Sequence, residues 1–327
     1  MVRRLLSILA VSAACGGAPK PTPIAPLPDD PKPAAPPAEA KPAAPAAAEA
    51  KPAAPAAPLP PLEIKIPALQ TTVKIVSGGK GKKEPVRYSS KPGTKQAVDL
   101  AIDFSVKQDA NESAVPTIVL SGEAETGAVD KDGNAAYTVT VTATDVRAVT
   151  GSQVPLDKFK TVLGTLSGLT IGGTLGANGA AGDVTMRMEH PPAHAAEALD
   201  LIRVALPTLP VLPKEAVGVG AKWQSTTTAK LADRLDVTQT TDYELVAHKG
   251  ATWTIKGTTK VTGKDQDIET SKISQITGTG TSETTIADGT LYPTHKSSLE
   301  TQFKASEADK SAQFAIKVGG AVTPKTP

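Results

Sequence analysis

Tyr137-Thr138-Val139-Thr140-Val141-Thr142-Ala143-Thr144 alternates apolar and hydroxyl side chains residue by residue. A period of two puts Tyr137, Val139, Val141 and Ala143 on one face of a strand and the four threonines on the other. β-Branched side chains suit a pleated backbone, and one apolar face with one wetted face is the pattern of antiparallel sheet. Upstream, Leu100, Ile102, Phe104 and Val106 alternate with Asp99, Ala101, Asp103, Ser105 and Lys107. Downstream, Tyr243 and Leu245, then Trp253 and Ile255, repeat the scheme. Asp132-Gly133, Asn178-Gly179 and Asp288-Gly289 supply residues that tolerate positive φ in the hairpin turns between strands.

Two stretches depart from this period. Behind Pro155, the residues Phe159, Val162, Leu163 and Leu166 fall at helical spacing, and proline suits a first helical turn. Behind Pro192, the residues Ala195, Ala198, Leu199, Ile202 and Leu206 do the same and stop at Pro207. Thr170 to Met188 between them reads as a glycine-rich hairpin. The expected fold is mainly β (α+β) over residues 62–320. It is a curved antiparallel sheet or half-barrel of two strand-rich halves, 62–150 and 215–320, with one or two short helices between them near 155–166 and 192–206. Lys91-Pro92-Gly93-Thr94-Lys95 and Val219-Gly220-Ala221-Lys222-Trp223 each lead into a strand, which makes the halves candidates for an internal duplication. Residues 321–327 read as a disordered tail.

The N-terminus has another character. Arg3 and Arg4 precede an apolar run from Leu5 to Ala14, about ten residues and too short to span a bilayer of ~30 Å as a helix. Residues 1–14 therefore read as a signal peptide. Val11-Ser12-Ala13-Ala14-Cys15 resembles the bacterial lipobox, with Ser12 where that motif usually carries leucine. The resemblance implies cleavage before Cys15 and its acylation with palmitate-type chains. Cys15 is the only cysteine of the chain, so no internal disulfide is available to it. Gly16, where an aspartate would favour inner-membrane retention in enteric bacteria, points to an outer-membrane lipoprotein facing the periplasm.

Residues 15–61 form a tether. Ala38-Glu39-Ala40-Lys41-Pro42-Ala43-Ala44-Pro45-Ala46 recurs as Ala48-Glu49-Ala50-Lys51-Pro52-Ala53-Ala54-Pro55-Ala56. Large apolar residues are nearly absent and proline blocks sheet and helix, so the segment cannot build a core. As polyproline II it reaches on the order of 140 Å at ~3.1 Å per residue. The formal net charge of the chain is +2, to which Arg3 and Arg4 contribute two, and aromatic residues make up 3%. A chain so nearly neutral, with no basic stripe, carries no nucleic-acid footprint.

Residues 209–223, Leu-Pro-Val-Leu-Pro-Lys-Glu-Ala-Val-Gly-Val-Gly-Ala-Lys-Trp, resemble an uncharacterised family of bacterial exported proteins and lipoproteins. Its pattern is LP-x-x-x-V-x-V-G-x-x-W between a helix and a run of strands. The same family opens on a basic or aromatic strand and a Pro-Gly turn, matched by Arg87-Tyr88 and Pro92-Gly93. The resemblance implies a structural role: Gly218 and Gly220 allow a turn, and Trp223 anchors the strand that follows. It brings no catalytic or ligand residues.

Chemistry-bearing patterns are sparse. His190 and His194 lie four apart, a spacing that suits zinc on one helical face, but Pro191 and Pro192 between them and the lack of an intervening glutamate argue against a metal. Asp130-Lys131-Asp132-Gly133-Asn134 opens like a calcium loop without its later ligands, and reads as a hairpin turn. No serine sits in a nucleophile elbow, and Ile171-Gly172-Gly173 lacks a phosphate loop's lysine. The expectation is a protein that is not an enzyme and has no cofactor. Two roles remain: a structural or protein-interaction lipoprotein of the cell envelope, placed first, or a lipid- or hydrophobe-binding module. In the second, Leu100, Ile102, Phe104, Val139, Val141, Trp253 and Ile255 would line the concave face of the sheet.

Overall fold

The computed structural model describes residues 59–325 apart from 153–154, 193–194, 207, 232–233 and 309. The signal segment, Cys15 and the tether to residue 58 lie outside the described residues. The first strands are β1 (Leu62–Ile66), β2 (Thr71–Ser77), β3 (Lys80–Glu84), β4 (Lys95–Gln108), β5 (Asn111–Val129) and β6 (Ala135–Arg147). Helix α1 (Leu156–Gly164), strands β7 (Thr170–Leu175) and β8 (Val184–Met188), and helix α2 (Ala195–Ala205) follow. The C-terminal run is β9 (Val217–Val219), β10 (Lys222–Leu231), β11 (Leu235–Lys249), β12 (Thr252–Thr262), β13 (Gln266–Ile268), β14 (Ser271–Ala287), β15 (Thr294–Glu307) and β16 (Lys310–Pro324).

Two antiparallel meanders make one large sheet, in the order β1-β8-β7-β6-β5-β4-β16-β15-β14-β12-β11-β10-β2. Strand β16 joins the halves by pairing antiparallel with β4, Val318 opposite Phe104 and Val322 opposite Leu100. The two outermost strands, β1 and β2, are consecutive in sequence. Only Pro67–Gln70 separates them, so the ends of this long sheet lie within about 18 Å of each other at that point. The sheet is thus curled almost shut along a seam where, among the described residues, β1 and β2 do not pair. The link is stapled on both sides: the Ala68 N–H donates to Asp183 Oδ1 at 2.8 Å, and the Thr71 and Thr227 hydroxyls meet at 2.7 Å.

Three apolar clusters fill the concavity. Both helices cover the inner face of β4 to β8. In α2, Ala195, Ala198, Leu199 and Ile202 form a buried stripe at helical spacing, and with Leu163, Leu166 and Leu169 they pack on Ile102, Ile118, Leu120, Val141 and Met186. Each fully buried leucine there contributes roughly 1.5–3 kcal/mol relative to exposure. A second cluster, around Val106, Val237, Val261, Phe303 and Phe314, packs the interior away from the helices, with the two phenylalanine rings stacked at 5.5 Å. The third surrounds Trp223 and is described with the site below.

The expected fold class holds, and three finer expectations are corrected. Alternation in β6 runs to Val141, but Thr142 is an extra residue between the pairs Gly122–Val141 and Ser121–Ala143. This bulge reverses the phase, so Ala143 is exposed and Val146 is buried. The N-terminal half is not 62–150: it continues through β7 and β8 to Met188, while β1 and β2 go to opposite edges because each pairs with a different meander. Helix α2 stands between the halves, within the expected one or two, while α1 joins β6 to β7 inside the first of them. Strand β16 reaches Pro324, and the Lys325 N–H donates to the carbonyl of Ala97, so the chain stays attached past the expected boundary at 320.

Candidate functional site

A strap crosses the end of the curled sheet where the N-terminal half meets the strand start of β10. It comprises the described residues between α2 and β9, and its backbone is held by three side chains and one backbone carbonyl. The Tyr88 hydroxyl donates to the Pro210 carbonyl at 3.0 Å, and the Leu212 N–H donates to Asn178 O at 2.7 Å. The Trp223 indole N–H donates to Val211 O at 3.0 Å, and Arg87 Nη1 donates to Pro213 O at 2.8 Å. Tyr88 is fully enclosed, and burial pushes its hydroxyl well above the ordinary tyrosine range. Trp223 is 1% exposed and stacks on Tyr243 at 5.5 Å. Gly179 sits at φ +85°, and a Cβ there would lie 2.4 Å from both the Tyr88 ring and Pro210 O, so only glycine lets this loop reach the strap.

The motif residues are thereby explained. Gly218 lets β9 approach β3, because a Cβ on it would stand 2.2 Å from Lys80 O. Gly220, at φ +79°, makes the turn into β10. Arg87-Tyr88 and the Leu209–Trp223 segment, far apart in sequence, are two sides of one clamp.

Beneath the strap is a cavity of about 320 Å³. One wall comes from the N-terminal half and is apolar: Val98, Leu100, Val139, Ile171, Leu175 and Val184. The facing wall comes from β10 and β11 and carries hydroxyls: Ser225, Thr227, Thr241 and Tyr243, with Gln239 and Ala229. Leu206, Leu209 and Val211 cover it from the strap. Pro67, Leu69, Ala180, Ala181 and Thr208 line it as well and are exposed, which puts the mouth at the seam between the β1–β2 link, the β7–β8 loop and the strap.

Most of the polar wall is satisfied internally. Thr241 and Thr259 share a buried hydroxyl–hydroxyl bond at 3.0 Å. Burial raises the Tyr243 hydroxyl above its ordinary value, while hydrogen bonding to Thr241 and Ser225 partly offsets it. Tyr292 meets Tyr137 edge-to-face at 5.9 Å, and Gln96 clamps its backbone through both side-chain amide atoms. Arg203, in the last turn of α2, is the one charged side chain among the described residues that line the cavity.

Of the seven residues expected to line a concave face, Leu100 and Val139 line this cavity. Ile102 and Val141 lie in the cluster that the helices cover, and Phe104 packs with the Phe303–Phe314 cluster. Trp253 and Ile255 are buried in the cluster around Trp223, with the Trp253 ring stacked on His248 at 4.8 Å. Sequence reasoning missed the hydroxyl wall and Arg203. In Ser225-Thr226-Thr227-Thr228 both faces carry hydroxyls, so a period of two is invisible there. The Asp130 carboxylate is occupied within its own turn by the backbone N–H groups of Asp132 and Asn134 and by the Asn134 amide. Those bonds, that to the Asn134 side chain foremost, hold its pKa below the ordinary value. His194 lies outside the described residues, and no cluster of metal-ligating side chains occurs among those described.

The family described as "Family of unknown function (DUF6263)" matches residues 207–288, which are the strap and the strands from β9 to the end of β14. No curated protein and no solved structure matches the chain.

Proposed function

We propose that this domain binds a hydrophobic small molecule in the cavity beneath the strap. The single observation that carries the proposal is a cavity of about 320 Å³, apolar on one wall and opening at a seam. That volume falls at the lower end of the roughly 300–1,000 Å³ typical of small-molecule sites. The cavity gives ligand binding precedence over the envelope-interaction role placed first on sequence. In this reading Cys15 anchors an exported lipoprotein to the envelope, with the outer membrane favoured, and the tether holds the cavity clear of the lipid surface.

Native mass spectrometry tests the proposal. The full chain carrying Cys15→Ala, which removes the acyl chains that would compete for the cavity, is purified gently from its own envelope. An adduct of a few hundred daltons that is displaced by added hydrophobe is expected. A spectrum with only the apo mass, before and after adding hydrophobes, would overturn it.

A further inference from the structure

We infer that the ligand is a single-chain hydrophobe with an uncharged polar end, an alcohol or a primary amide, which hydrogen-bonds to the Gln239 carboxamide while its chain lies along the apolar wall. The inference rests on the cavity-binding reading above and specifies its ligand class. Gln239 belongs to the inward-facing series of β11, in which Leu235, Val237, Thr241, Tyr243 and Leu245 are all buried. Thr241 bonds to Thr259, and the Tyr243 hydroxyl to Thr241 and Ser225. Gln239 is half-buried and lines the cavity, and among the described residues its carboxamide has no hydrogen-bond partner. A carboxamide turned inward between a valine and a threonine is costly to leave unpaired. It presents a donor and an acceptor side by side, so it suits an end group that can do both.

Its place also suits a ligand's polar end. Gln239 stands opposite Thr227, which in turn stands opposite Thr71, so one row crosses β11, β10 and β2. Thr71 follows directly on the link that borders the mouth, and its hydroxyl and that of Thr227 are taken up by each other at 2.7 Å. From Gln239 the lining continues along β11 through Thr241 to Tyr243, a run of about 13 Å at ~3.3 Å per residue. An extended octyl chain suits that run, with Leu100, Val139, Leu175 and Val184 offering contact to its methylenes. A volume near the lower end for ligand sites favours one chain over two. An ionised end would need an opposing charge, and Arg203, the one charged side chain among the described residues of the lining, already meets Asp200 at 3.3 Å.

The test measures binding of octanol, octanamide, octanoate and octyl chloride to the full Cys15→Ala chain by calorimetry, each below its solubility limit. Octanol, octanamide and octyl chloride should bind, and octanoate should bind more weakly than octanamide. Gln239→Met, which keeps the length of the side chain and removes its amide, should weaken octanol and octanamide about tenfold. Octyl chloride, which has no donor, should bind that variant no less tightly, and Gln239→Leu should repeat the pattern. Equal weakening of octyl chloride and octanol in both variants would assign Gln239 to the shape of the cavity, overturning the end-group assignment but leaving cavity binding intact. Unchanged affinity for octanol and octanamide in both variants also overturns it, as does tighter binding of octanoate than of octanamide. No binding of any probe to the Cys15→Ala chain removes both proposals.

Discussion

The two halves are built alike outside and differently inside. Each is an antiparallel meander, although in the first α1 lies in the connection from β6 to β7. The first has its concave face covered by two helices, with Leu163, Leu166, Leu199 and Ile202 buried against it. The second has only the strap across one end, and its inward positions include Ser225, Thr241, Thr259, Thr284, His295 and Thr301, all buried. Hydroxyls that bond to one another across neighbouring strands can be enclosed at little cost, whereas unpaired ones cannot. The cavity exists where the two solutions meet, with the apolar side chains of one half facing the hydroxyl lining of the other. The contrast teaches that the strap, more than any strand, decides how much of the second half is packed and how much stays open.

Removing the strap's anchor should break this contrast most severely. Trp223→Ala is expected to cost about 3–5 kcal/mol, because it leaves a void against Tyr243 and deprives Val211 O of its donor. Urea unfolding would measure it; a cost under about 1 kcal/mol would mean that the strap is held without Trp223.

The next effect is pH-dependent and belongs to the second half alone. Burial lowers the pKa of His295 from 6.5 to about 4, with Nδ1 bonded to the Thr284 hydroxyl at 2.8 Å. The folded chain keeps this imidazole neutral while the unfolded chain protonates it below 6.5. Its contribution is therefore complete above pH 6.5 and is lost as the pH falls toward 4, amounting to about 3 kcal/mol. Stability measured at pH 7 and pH 4.5 should fall more in the native chain than in His295→Gln. Identical pH dependence in the two would show that His295 is accessible to protons in the folded state.

The smallest effect sharpens the account of the polar wall. Thr241→Val should cost about 1 kcal/mol by leaving Thr259 without its partner, and Thr241→Val with Thr259→Val should cost less than the two single changes added together. Strict additivity in that cycle would show that the hydroxyls do not depend on each other.

Much of the secondary structure was legible from local chemistry. The alternation through Val139 and Val141, the helical stripe of Ala195, Ala198, Leu199 and Ile202, and the turns at Gly133 and Gly179 all lie where their patterns place them. The inner lining was far less legible. Leu100 and Ile102 share one face of β4, yet Leu100 reaches the cavity and Ile102 is buried in the helix-covered cluster. Periodicity assigns a face and cannot say what covers it. The motif from Leu209 to Trp223 was visible as a motif, but its partners Tyr88 and Asn178 are more than thirty residues away in the chain.

By itself, then, the sequence determined where strands, helices and turns form, because backbone preference and side-chain period act over a few residues. Only the tertiary structure decided that β1 and β2 part to opposite edges, that β16 bonds to β4, and that threonines of the second half turn inward. Those outcomes depend on pairings between distant segments, and the free energy that selects them comes from burial and hydrogen-bond satisfaction over the whole concave face.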